Sequence, residues 1–357
     1  MYQWFYNSLS GKAAIADDSI YLLNEAEIRY IKKRENTTIF FSALIGVIMV
    51  LVLYLPQYWW PHLFPVNTIK LPFLNDPLEF SVIAFLYGML LVFVEIVLLT
   101  FLNIYCTHAI AFATGFVDQK SKYDADKKNL LLSIGQEKKT KDIVELGIDP
   151  YYGLKKSSVF LMNALFTLKA TLSNLVFKIL IQRVLGRYAV RQLMDMIGIP
   201  VFAFWNAWGT RKVLREARII IMGQNYLNYL KNDLKNFREL SALEKTLLYD
   251  TLQYIAMSKR DYHKNHYYLS KLLLDNFEIP KEKSHVISAG YYDELEKCQS
   301  DFKQLNQQIL LLGFVLDGSL SVREKIRIRK LNKLAIIHKT VQEVELQLNH
   351  FVYGKGL

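Results

Sequence analysis

The sequence predicts an all-α protein: a two-span transmembrane helical hairpin followed by a mainly helical cytoplasmic body. Three observations predict it. Two long apolar runs stand in the first third of the chain. Basic residues flank the pair and are sparse between its members. After residue 120 the chain becomes rich in charge and is patterned at helical spacing. Of the 357 residues, 52% are apolar and 22% charged. A uniformly soluble chain rarely holds both, and here they are segregated, with no Lys or Arg from Leu71 to Gln119.

Residues 1–36 form a cytoplasmic N-terminal segment. They lack the basic stretch and adjoining apolar core of a signal peptide, so the first apolar run is expected to remain as an anchor. That run, about 38–55 (TIFFSALIGVIMVLVLYL), is uncharged and close to the ~20 residues needed to cross a bilayer. Lys32, Lys33 and Arg34 precede it, and Tyr54, Tyr58, Trp59 and Trp60 cluster at its far end, where aromatic side chains favour the interface. Pro56, Pro61 and Pro65 are expected to end the helix. The second run, about 81–102 (SVIAFLYGMLLVFVEIVLLTFL), is interrupted only by Glu95. The loop between the runs, 56–80, holds one basic residue, Lys70, whereas Lys120, Lys122, Lys127 and Lys128 follow the second run. The positive-inside rule then places both termini in the cytoplasm and the loop outside, as in a multi-pass protein of a bacterial cytoplasmic (inner) membrane. Residues 103–117 stay uncharged and complete the hairpin region 37–117, with the helix expected to emerge and pack against the body.

Glu95 is the intramembrane polar residue. A carboxylate at that depth is costly, so it is expected to be protonated, hydrogen-bonded or turned towards protein. Two readings stand. One is a proton or ion relay, for which Thr100, Asn103 and His108 are the further polar groups. The other is a structural hydrogen bond to Ser42, Thr37 or a neighbouring subunit.

Residues 118–239 form a juxtamembrane segment. One helix and loops are expected over 129–156, with a turn at Gly147-Ile148-Asp149-Pro150. From Ser157 to Arg191 apolar residues recur at helical spacing, with Arg183, Arg187 and Arg191 on one face and Lys178 near it. The run 193–209, LMDMIGIPVFAFWNAWG, carries one charge, Asp195, and a Gly198/Pro200 break. RKVLREAR follows, with Arg211, Arg215 and Arg218 on a shared face. This pattern fits an interfacial hairpin at 193–209 between basic helices, or else a buried helix pair with solvated arginines. In the first case all seven basic residues would contact the membrane surface. The net charge of +11 suits anionic inner-leaflet lipids, at roughly 1 kcal/mol per well-placed basic side chain. The stretch IGIPVFAFWNAWGTRKVLREARIIIMG is similar to the Pro/Gly-Asn-Ala pattern of EcsC-type membrane-associated bacterial proteins.

Residues 240–357 read as helical, with Pro280 and Gly290 as the main breaks. In LLLGFVLDGSLSVREKIRIRKLNKLAIIHKTVQEVELQLNHF, an apolar helix ends at Asp317-Gly318, and Ser321 with Glu324 forms a capping box on the next. Ile326, Ile328, Leu331, Leu334 and Ala335 are expected to supply that helix's apolar side. An earlier stretch, 247–283, has the same plan, turning at Ser258–Asp261 and resuming near His263. Together these units resemble the TerB-like (tellurite-resistance-type) helical domain. The resemblance implies divalent metal binding near the turns, for which Asp317 and Glu324 are the matching positions. The first unit departs from it: MSKRDYHKN has no Asp-Gly and is locally basic. His263 and His266 lack a zinc-site context and are taken as surface or interface residues.

No phosphate-binding loop, dinucleotide fingerprint, nucleophile elbow or paired-carboxylate pattern occurs, so neither an enzyme nor a cofactor is expected. Cys106 and Cys298 form no disulfide framework, and no nucleic-acid-binding signature appears. The expected function is a membrane-anchored scaffold, or stress- and envelope-associated protein, that binds a protein partner and could form a homo-oligomer. The alternatives are a transport component using Glu95 and a membrane enzyme acting on lipid or envelope substrates.

Overall fold

A computed structural model describes residues 1–9, 22–65, 67–69, 78–117, 124–136, 142–154, 190–261 and 263–356. Side chains are described in all of these except 67–69, 78–80 and 190–198. The architecture is all-α. In chain order the helices are α1 (Tyr2–Ser8), α2 (Glu25–Trp59), α3 (Val82–Ala113), α4 (Ala125–Gly135), α5 (Val190–Leu234), α6 (Ala242–Lys259), α7 (Lys264–Asn276), α8 (Tyr291–Lys297), α9 (Ser300–Val315), α10 (Val322–Lys333) and α11 (Val341–Val352). A short antiparallel hairpin, β1 (Asn67–Ile69) with β2 (Leu78–Phe80), lies in the loop between α2 and α3, Thr68 facing Glu79.

The chain divides into two compact units. The first comprises Met1–Leu9, Lys32–Thr107 and the described part of Leu161–Leu214; the second holds the described parts of Ser10–Ile31, His108–Phe160 and Arg215–Leu357.

In the first unit, α2 and α3 are both long and apolar enough to cross a membrane. Each exceeds the run read from sequence: a charged stretch opened by Glu25 and Glu27 precedes the apolar part of α2, and the uncharged residues 103–113 carry α3 on to Ala113. Pro56 does not end α2. It sits within the last turn, its carbonyl still accepts from the Trp60 amide at 2.9 Å, and the helix ends at Trp59, shortly before Pro61 opens a separate turn. The two helices run antiparallel. Tyr87 donates its hydroxyl proton to the Val52 carbonyl at 2.7 Å, and Arg34 Nη1 donates to Tyr105 Oη at 3.1 Å. Their outer surface is apolar and bare, with Phe40 64% and Phe93 65% exposed and Leu86, Met89 and Leu90 beside them. Such a surface is unfavourable in water over this length.

The expected hairpin at 193–209 is corrected. The backbone is helical without interruption from Val190 to Leu234, with Pro200 inside it. In the first unit α5 lies against α2, where a Cβ on Gly46 would come within 2.9 Å of the Phe202 backbone carbonyl. A residue larger than glycine at 46 would push the helices apart. Lys178, Arg183 and Arg187 fall outside the described residues, as does the Arg191 side chain.

The second unit is a helical bundle around one continuous core. Leu247, Leu248, Leu252 and Ile255 of α6 meet Phe302, Ile309, Leu310 and Phe314 of α9. Ile328 and Leu331 of α10 and Val344 and Phe351 of α11 close it. Ile326, Leu334 and Ala335 do not join this core. Ile326 and Leu334 are exposed, and α10 ends at Lys333 because the chain turns left-handed at Ala335 (φ 52°). Another capping box, Thr340 with Glu343, then starts α11, a break missed in the sequence.

Candidate functional sites

Two buried polar centres, one in each unit, carry the sequence-selected residues. In the first unit Glu95 is buried on α3, and its Oε1 accepts from Asn206 Nδ2 of α5 at 2.6 Å. The Asn206 carbonyl accepts from Ser42 Oγ of α2 at 2.8 Å, and Ser42 and Thr210 share a hydrogen bond at 2.6 Å. Glu95, Ser42, Asn206 and Thr210 therefore tie three helices at one level. Neither Ser42 nor Thr37 bonds the carboxyl directly: Ser42 is committed to α5, and Thr37 donates to Lys33 O within its own helix. Thr100 likewise bonds back to Ile96 O. Asn206 was missed because it lies 111 residues from Glu95, inside a run read for its apolarity.

In the second unit, Asp317 and Glu324 do converge, but around an ammonium. Lys259, the last residue of α6, places Nζ 2.6 Å from Asp317 Oδ1 and 2.5 Å from Glu324 Oε1. Its three hydrogens go to Asp317 Oδ1 and to the Phe314 and Ser319 carbonyls, at 2.8 and 2.9 Å, so Glu324 is held by charge. The turn is built locally. Gly318 takes φ +67°, Asp317 accepts from the Ser319 amide, and Ser321 and Glu324 form the capping box expected from the sequence. Burial alone raises the Asp317 carboxyl, but Lys259, His266 and His263 outweigh it and hold it below the usual carboxylate range. The space between the carboxylates is filled by Nζ, so the pair does not fit a metal ion in this state. Among the described residues, no cluster of three or more metal-ligating side chains occurs.

Around this centre the two histidines take different roles. His263 caps α7 by accepting from the Asn265 amide, and its Nε2 faces Glu216 at 3.2 Å. His266 is buried rather than superficial, its Nε2 bonded to the Gly313 carbonyl at 2.8 Å. Burial pushes its pKa down to about 4, so it is neutral at physiological pH. The neighbouring Asn265 bonds the Ile219 and Leu316 carbonyls, tying the start of α7 to the middle of α5 and the end of α9.

A second buried network lies nearby in sequence and went unread. His285 stacks on Tyr249 (centroids 3.9 Å apart, 3° between planes) and pairs with Asp250 at 2.7 Å and Glu282 at 3.0 Å. Tyr249 Oη and the His285 amide together hold the Leu146 and Gly147 carbonyls. Burial alone lowers the His285 pKa, and the two carboxylates more than reverse this. The arrangement anchors the loop that carries Leu146 and Gly147.

Of the basic residues assigned to the membrane surface, three can be placed. Arg211 is exposed on α5. Arg215 donates from Nη2 to the Gly318 carbonyl at 2.9 Å, and Arg218 lies 5.6 Å from the Tyr353 ring centroid. The last two are engaged within the second unit. No protein-family model, curated protein or solved structure matches the chain.

Proposed function

We propose that the chain is a membrane-anchored, non-enzymatic scaffold. In this reading α2 and α3 hold it in a bacterial cytoplasmic membrane with both termini inside, and the bundle α6–α11 docks a protein partner. The observation that carries the anchor is the bare apolar surface of two antiparallel helices, each longer than the ~30 Å hydrocarbon layer. A hydrogen-bonded Glu95 supports the structural reading of that carboxyl over a relay. Two helix–turn–helix units, α6–α7 and α9–α10, support the TerB-like plan. Lys259 supplies from within the chain the positive charge that the resemblance would assign to a metal.

The docking surface we assign is the outer face of α10. Val322 is 75% exposed and Ile326 58%, one turn apart, with exposed Arg323, Arg329 and Lys333 around them. Lys325 is neutralised by Glu345 at 2.5 Å, and Arg327 lies over Tyr254. The remaining cations suit an acidic partner segment with apolar anchors. A photo-crosslinking residue at Ile326, in native membranes, should give a discrete protein adduct that Arg323→Glu with Arg329→Glu abolishes. The same probe at Lys303 should give none. Equal adducts at both positions would sink the docking assignment.

A further inference from the structure

The first unit holds a third helix whose surroundings match those of the two candidate spans. Residues 192–210 of α5 lie between Arg191 and Arg211 and carry one charge, Asp195. As a helix they cover about 28 Å, close to the ~30 Å of a hydrocarbon layer. Their direction follows from contacts inside the unit. Ser42 meets Asn206 and Thr210, while Gly46 meets Phe202, so α5 runs antiparallel to α2 and parallel to α3. The Glu95–Asn206 bond fixes the level. Val190 then stands about 24 Å before Asn206, at least as far as the ~20 Å by which Val82 precedes Glu95. Arg211 and Lys212 fall near the level of Thr100, at the end of the unit where the cationic flank of α2 lies. Beside these contacts α5 exposes Phe202, Phe204, Trp205 and Trp208, with Phe204 and Trp208 on the side away from Asn206 and Thr210. It continues the apolar surface of the other two helices within the same unit.

We propose that residues 192–210 form a third membrane-embedded helix, parallel to α3, whose Phe202, Phe204, Trp205 and Trp208 contact lipid acyl chains. This rests on α2 and α3 being spans, and it changes what Glu95 does. The carboxyl becomes the latch that holds an embedded helix of marginal apolarity against two strong ones, through an asparagine that would otherwise be an unpaired amide in hydrocarbon. The basic pair Arg211–Lys212 marks the cytoplasmic edge, where long cationic side chains reach the headgroups.

The five tryptophans allow a direct test. The full chain with Trp4→Phe, Trp59→Phe and Trp60→Phe keeps only Trp205 and Trp208. It is reconstituted in phosphatidylcholine/phosphatidylglycerol vesicles with acyl chains brominated in the half nearer the headgroups, since Trp208 and Trp205 lie about one and two turns inside Arg211. Emission should fall clearly below that in unbrominated lipid, with iodide having little effect. A companion with Trp4→Phe, Trp205→Phe and Trp208→Phe reports Trp59 and Trp60 at the loop end of α2. Its quenching by bromines near the headgroups shows whether the two-span anchor itself is embedded. Quenching of the companion alone, with Trp205 and Trp208 open to iodide, overturns the third helix and leaves the anchor standing. Trp205 and Trp208 reached by neither quencher would place protein, such as a second copy, on that face and also overturn it. A companion unquenched at every depth would overturn the anchor.

Discussion

Lys259 Nζ lies 2.5 Å from Glu324 Oε1, with both side chains only 2% exposed. The same ammonium is 2.6 Å from Asp317. Removing it leaves two buried carboxyls without their counter-charge, a change that typically costs about 3–5 kcal/mol. Lys259→Met should therefore lower the unfolding free energy of the full-length protein in detergent by that order. Folded Asp317 has a depressed pKa, so its contribution is present above about pH 4 and lost as pH falls through the folded value. The deficit of Lys259→Met relative to the native chain should accordingly shrink in acid. A deficit independent of pH would contradict the charge-pair reading.

His266 and His285 predict opposite limbs of the stability profile. The His266 pKa falls from 6.5 to about 4 on folding, so the unfolded chain binds the extra proton between those values. Stability on the order of 3 kcal/mol should be lost as pH drops from 6.5 towards 4. His266→Gln, which keeps a donor for the Gly313 carbonyl, should flatten that limb in chemical denaturation. His285 has a raised pKa, so its term is fully present below about 6.5 and is lost as pH rises through the folded value. His285→Gln should flatten the alkaline side. Unchanged slopes in both variants would contradict the assigned protonation states.

Gly46 predicts a steric limit between α2 and α5. Its Cβ position is 2.9 Å from the Phe202 backbone, which cannot yield as a side chain tip can. Gly46→Leu should lower the melting temperature in detergent by the equivalent of about 1–3 kcal/mol. Gly88, whose nearest neighbour is a Leu53 methyl at 3.8 Å, should tolerate Ala with little change.

Glu95 and Asn206 should behave as a coupled pair. Asn206→Leu strands a buried carboxyl, whereas Glu95→Leu with Asn206→Leu removes both polar groups. The coupling is expected at about 1–2 kcal/mol, with the double variant at least as stable as Asn206→Leu alone. Additive losses would mean that the 2.6 Å bond contributes nothing.

What the sequence made legible was whatever is written in local pattern. The apolar runs, the Asp317-Gly318 turn, the capping box at Ser321 and Glu324 and the start of α7 after His263 all depend on residues a few positions apart. What it hid depends on partners brought together by packing. Asn206 reaches Glu95 across 111 positions, and Lys259 reaches Asp317 across 58. A trace of the second was present, since MSKRDYHKN is basic where the matching unit is acidic. The Gly198/Pro200 signal misled for the opposite reason. In an isolated peptide it would favour a bend, but the helix runs through it and packs against α2 from Phe202 onwards. The end of α10 was obscured because Leu334 and Ala335 extend its apolar spacing past the point where the chain turns left-handed.

The most direct measurement of the membrane anchor is thiol accessibility in intact bacterial cells. In a Cys106→Ser, Cys298→Ser background, single cysteines are placed at His62, exposed in the loop between α2 and α3, and at Lys303, exposed on α9. A membrane-impermeant maleimide should label His62→Cys in intact cells and Lys303→Cys only after permeabilisation. Labelling of both in intact cells, or protection of both until lysis, would contradict an anchor that places the loop between α2 and α3 outside and keeps the bundle inside.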